Sequence, residues 1–198
     1  MNNNKEIIDK LFDVWFHGKH KLIEFEATFP DNEESEKLKE ELLPDFCDTL
    51  IEFYWNYFFL TIARLLDPHT QGQHKNLTLF TLSDLLKKNE KSEWKDVLKK
   101  TEELKTKFLP VIKYRRKKLA HFDFDHTIGN ADFGTSTHID EITHFFDTML
   151  ELINLTYKPL GFDIRVPAII RRARFRGGTE FNRILSEYKK YYAQQWLL

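Results

Sequence analysis

The chain has 198 residues, 41% of them hydrophobic and 31% charged, with a formal net charge of −1. That balance is ordinary for one soluble globular domain long enough to bury a core, and near-zero net charge argues against indiscriminate coating of nucleic acid. A single cysteine, Cys47, excludes an internal disulfide framework and multi-cysteine zinc sites and fits a reducing compartment.

The 18 Phe, 7 Tyr and 4 Trp predict a thick aromatic core, and only 7 Gly and 6 Pro favour long helices over a turn-rich β protein. The start, MNNNKEIIDK, lacks a basic region followed by an apolar one, so no secretory signal is expected. The run FYWNYFFLTIA (53–63) is broken by Asn56 and too short to span a bilayer, so a cytoplasmic protein without membrane contact is expected. Charge is uneven. Residues 1–66 hold 7 Lys and Arg against 14 Asp and Glu, a balance of −7, and the remainder carries +6. That asymmetry points to an anionic partner for the C-terminal two-thirds.

In chain order, apolar residues at Ile7/Ile8, Leu11, Val14/Trp15, Leu22 and Phe25 have helical spacing, and Gly18 on the same stripe marks a close helix approach or a weak point. Asp31 with Glu34 resembles a capping box for the next helix, which Pro44 ends or kinks. Residues 45–66 form the most apolar helix, expected to be central and buried, with Phe46, Leu50, Phe53, Tyr57, Leu60 and Arg64 on one stripe. Pro68 stops it at Asp67. DPHTQGQHKN is a polar loop, and a short helix near 82–89 has Thr81 as its expected N-cap.

Ser92 is placed to cap a long helix from Glu93 to about Phe122, kinked at Pro110. The Gly, Asn, Asp and Thr content of DHTIGNADFGTST predicts a loop, and His138 to about Tyr157 is an amphipathic helix. KPLGFDIRVP reads as a linker, and residues 164–175 are the one place where a short strand is worth considering. A final helix is expected with Thr179 as cap and Phe181, Ile184/Leu185, Tyr188 and Tyr192 on one face. The fold class is therefore all-α: an up-down helical bundle over residues 1–158, with a basic linker and amphipathic C-terminal helix (159–198) packed on the same domain.

The stretch YRRKKLAHFD (114–123) gathers two arginines, two lysines and a histidine. On a wheel of about 100° per residue with Phe108 at zero, Leu104, Ile112, Leu119 and Phe122 fall within about 40° of that line. Arg115 falls at about −20°, where it must pair, snorkel or face a polar cleft, because a buried unpaired guanidinium is costly. Arg116 falls at about +80° and His121 at about −140°, away from the chain's own core. Two readings stay open: a solvated helix end whose cations suit a C-terminus, or a site that grips phosphate and moves a proton.

RKKLAH and RRKKLAH match the Arg-x(4–6)-His motif of the HEPN superfamily, and Tyr114–Arg115 through Ala120–His121 and Asp123 resemble the motif form of its abortive-infection branch. IARLLDP (62–68) followed by NLTLFTLSDLL (76–86) resembles the same branch, and the likeness covers roughly residues 50–155. The resemblance implies a HEPN-like helical bundle and a metal-independent endoribonuclease of phage defence or toxin type. It also implies a homodimer whose site is built from both copies of the motif, and a possible antitoxin or companion protein. RNA brings its own nucleophile, the 2′-hydroxyl, so the chemistry needs a base, an acid and cations for the phosphorane charge, and no cofactor is expected.

The candidate catalytic residues are His121 for proton transfer and Arg116 or Arg115 for charge stabilisation. Lys117, Lys118 and Arg64 are candidates for RNA binding. RVPAIIRRARFRGG (165–178) adds Arg171, Arg172, Arg174 and Arg176, which either track an RNA backbone beside Phe175 or neutralise the acidic N-terminal helices. Arg64 and Asp67 are spaced to pair. Asp13, His17, His20 and Glu24, or His138, Glu141 and His144, could mimic metal ligands, but the spacing matches no established pattern and no metal is expected. The rival reading is a non-catalytic module binding RNA or a partner protein through the same basic surface.

Overall fold

A computed structural model describes residues 3–71, 73–116, 137–162 and 176–195. The chain is an all-α helical bundle. Its helices are α1 (Asn3–Thr28), α2 (Glu33–Leu42), α3 (Pro44–Leu66), α4 (Phe80–Lys88), α5 (Trp94–Lys107), α6 (Leu109–Tyr114), α7 (Ile139–Tyr157) and α8 (Arg176–Gln195). The polar loop after α3 contains one antiparallel ladder of two residues per strand, Thr70 opposite Lys75 and Gln71 opposite His74. The residues considered for a strand, 164–175, lie outside the described residues. The chain divides into two compact units, Met1–Gly18 with Asn56–Val166 and Lys19–Trp55 with Pro167–Leu198.

In the first unit, α4, α5 and α7 pack on one another. The α7 stripe Ile142, Phe145, Phe146, Met149, Leu152 and Ile153 is wholly buried, as are Ile8 and Leu11 of α1 and Phe58 of α3. Phe146 meets Phe58 and Phe145 edge to face at 6.4 and 5.5 Å, and its carbonyl accepts a 2.8 Å hydrogen bond from Trp15 Nε1. Gly18 is the close approach its position suggested: a Cβ there would sit 2.2 Å from Phe146 Cε1. That ring is fenced in by its aromatic neighbours. Gly18→Ala is therefore expected to lower stability by about 1–3 kcal/mol through overpacking, against the roughly 1 kcal/mol that alanine gains in a helix. Urea unfolding measures it, and a more stable variant would show that Phe146 is free to move.

In the second unit, Asn182 of α8 closes the end of α1. Its Nδ2 donates to the carbonyls of Ala27 at 2.9 Å and Thr28 at 3.1 Å, groups that the helix end leaves without partners. Gly178 allows this approach, since a Cβ there would lie 2.5 Å from Thr28 N. Phe25 packs edge to face on Tyr54 and Trp55, and Lys189 pairs with Glu41 at 2.5 Å. Lys39, in the last turn of α2, is buried, donates to Ser35 Oγ and lies 4.8 Å from the Phe29 ring centre. Burial pushes its pKa down, and burial likewise pushes the nearby Cys47 thiol up.

Several expectations fail for physical reasons. α2 is capped by Asn32, not Asp31: its extended backbone aims Oδ1 at Ser35 N, 2.8 Å away. Thr81 lies inside α4, where its Oγ1 accepts from Thr78 N at 3.2 Å. Ser92 makes no side-chain cap to α5, because residues 91–93 already enter helical turns through backbone carbonyls. Thr179 falls within the first turn of α8, which starts at Arg176. On that helix Leu185 is buried whereas Ile184 and Tyr188 are exposed. α3 was expected to be buried along Phe46, Phe53 and Leu60. These are exposed instead (51, 60 and 39%), and Cys47, Tyr54, Phe58, Ile62 and Leu65 face inward.

Candidate functional site

The chain leading into the motif, residues 94–116, is not one kinked helix. α5 ends at Lys107, Phe108 breaks the helical backbone with φ −94° and ψ 17°, and α6 begins at Leu109 with Pro110 in its first turn, where a missing N–H costs nothing. Phe108, Val111 and Ile112 are buried, and Tyr114 packs edge to face on Phe59 of α3 at 5.3 Å. This seats the end of α6 beside the end of α3. Beyond Tyr114 the turn widens to π geometry at Arg115 and Arg116, a local irregularity common at functional sites.

Both arginines then meet Asp67. Arg115 Nη1 donates to Asp67 Oδ2 at 2.9 Å, and Arg116 Nη2 lies 3.8 Å from Oδ1. The three side chains differ sharply in exposure: 9% for Asp67, 25% for Arg115 and 59% for Arg116. A carboxylate at a helix C-terminus opposes the helix dipole and is tolerated in a dry site only when cations hold it. Arg115 therefore resolves the question its wheel position raised: it pairs. Arg116 stays open to solvent, able to turn its remaining donors to a phosphate. Asp67 Oδ1 is buried without a hydrogen-bond donor among the described residues, a cost of about 1–3 kcal/mol.

The spacing-based pairing of Arg64 with Asp67 is wrong. Asp67 turns to the arginines of α6, and Arg64 is exposed and ion-pairs with no described residue. Asp67 is the residue sequence reasoning undervalued, since its partner lies 48 positions away and no local pattern marks it. His121, Lys117, Lys118, Arg171, Arg172 and Arg174 lie outside the described residues. Arg176 opens α8, with its side chain outside them. Among the described residues no three His, Cys, Asp or Glu side chains converge to hold a metal ion. Glu141 instead accepts from His138 N at 3.2 Å at the start of α7, and His144 lines a shallow cleft with Lys107 and Asp147. Among the described residues no helix is long and apolar enough to cross a membrane.

The all-α bundle thus brings an arginine pair onto a buried aspartate at the end of α3. The family model HEPN_AbiU2, described as AbiU2, matches residues 5–167, and the chain belongs to that abortive-infection-associated family. No curated protein and no solved structure matches the chain significantly.

Proposed function

We propose that this protein is a metal-independent endoribonuclease acting in phage defence or as a toxin. The observation that carries the reading is the division of labour between the arginines: one pinned by Asp67, the next exposed. Arg116, five residues before His121, takes the role of electrostatic stabiliser, and Arg115 becomes the residue that positions the turn. His121 transfers the protons, because an imidazole titrates near neutrality. A base takes the 2′-proton as that oxygen attacks phosphorus, and an acid protonates the departing 5′-oxygen. The products are a 2′,3′-cyclic phosphate and a 5′-hydroxyl. Lys117, Lys118 and the arginines at 171, 172, 174 and 176 would hold the RNA backbone.

Base and acid come from two copies of His121 in a homodimer. In the second unit Phe46, Phe53, Ile184 and Tyr188 are about half exposed, and these apolar side chains are the candidates for self-association. The test incubates purified protein with RNA in EDTA, assays for cyclic-phosphate ends and measures mass in solution. Cleavage by a dimer is expected, with Phe53→Glu giving monomers and loss of cleavage. RNA left intact both in EDTA and in magnesium would end the enzyme reading, and full activity from a monomer would end the shared site.

A further inference from the structure

Within the first unit, a cleft of about 570 Å³ opens between α1 and α3. Lys10, Asp13 and His17 line it at helical spacing from α1, and Tyr57, Thr61 and Arg64 line it at the same spacing from α3. Its volume falls within the roughly 300–1,000 Å³ typical of small-ligand sites. Lys10 and Arg64 form no ion pair with a described residue, although Asp13 shares the cleft with them. Two cations in one groove that pair with no described residue, beside an aromatic ring, fit a ligand that carries a phosphate on a flat apolar body.

We propose that this cleft binds one nucleotide, with phosphate on Lys10 and Arg64 and the base against Tyr57. Cations on flexible stems recognise the phosphate, and the Tyr57 ring, half-buried with an edge-to-face neighbour in Phe58 at 5.8 Å, is a fixed platform for a base. Asp13 offers only hydrogen-bond acceptors, so it favours bases whose exocyclic amino group presents two N–H donors over uracil, which presents the single N3–H. Arg64, in the last turn of α3, lies three residues before Asp67, the carboxylate that holds the arginine pair. The nucleotide is therefore either a free 5′-mononucleotide or one unit of an RNA strand leading away from the cut. Only that second form rests on the ribonuclease reading.

The test uses the full chain and calorimetry with 5′-AMP, 5′-UMP, adenosine and a 2′-O-methyl oligonucleotide, which lacks the nucleophile and cannot be cleaved. AMP is expected to bind about ten-fold or more tightly than adenosine, and Arg64→Gln or Lys10→Gln to weaken it by a similar factor, the scale of one hydrogen bond to a charged group. AMP is expected to exceed UMP, and Asp13→Asn to narrow that gap. Oligonucleotide binding weakened by Arg64→Gln, with free nucleotides inert, supports the RNA form. Nucleotide binding without oligonucleotide binding supports the free-ligand form. If neither probe binds, or binding ignores both Arg64→Gln and Lys10→Gln, the cleft holds no nucleotide. Cleft binding that persists in a protein unable to cut RNA would overturn the ribonuclease reading alone.

Discussion

Replacing His121 with alanine is expected to slow RNA cleavage by about 10²–10⁴-fold, the usual contribution of a positioned general acid or base. The upper end applies if both proton transfers use this residue, one from each copy. RNA binding should persist, because binding is carried by Lys and Arg contacts to phosphate that the substitution leaves in place. Arg116→Ala is expected to cost about 10²–10³-fold in kcat, the scale of one lost donor to a developing oxyanion. At 59% exposure it has little packing to lose, so its thermal midpoint should stay near that of wild type. The check is single-turnover cleavage of a labelled RNA alongside a filter-binding isotherm. Cleavage by His121→Ala at the wild-type rate would remove the imidazole from the mechanism.

The pattern of success and failure in reading the sequence has a physical basis. The α1 stripe Ile8, Leu11, Trp15, Gly18 and Leu22 was legible because polar residues flank it, so one face alone could be buried. α3 was legible as a helix but not as an orientation. With aromatic and aliphatic residues nearly all round, periodicity cannot choose between the line through Phe53 and the line through Phe58. The caps failed for a related reason. Asp31 and Asn32 are both good caps, and backbone geometry, not composition, selects Asn32.

For the candidate site, the basic motif and the constraint on Arg115 could be read from spacing, but the identity of its partner could not. Arg64 and Arg115 both qualified to meet Asp67, one by helical spacing and one only through the packing of α6 on α3. Tyr114 against Phe59 supplies that packing, so an aromatic contact decides which arginine the aspartate holds. Arg64 instead lines the cleft between α1 and α3. Local rules rank pairs three or four residues apart, and the fold overrode that ranking.

Asp67 is expected to show its role through an asymmetry. Arg115→Ala leaves a carboxylate that is 9% exposed with only the longer 3.8 Å ion pair to Arg116, at a helix end whose dipole already disfavours it. Asp67→Ala strands a guanidinium that is 25% exposed and can swing toward water. Arg115→Ala should therefore destabilise more, toward the roughly 3–5 kcal/mol of a broken buried pair, and Asp67→Ala less. In the double variant neither charge is stranded, so its loss should fall short of the sum by about 1.5–3 kcal/mol, the worth of a hydrogen bond to a charged group. Chemical denaturation of the four proteins measures the cycle, and additive losses would mean that the 2.9 Å contact contributes nothing. Asp67→Asn keeps the shape and an acceptor for Arg115 but removes the charge that draws Arg116. Its expected signature is a fall in kcat of up to about 10²-fold at nearly unchanged KM, since a misplaced group costs rate and not ground-state binding. Loss in KM alone would instead make the aspartate part of RNA binding, and the arginine turn would then owe its geometry to α6 packing alone.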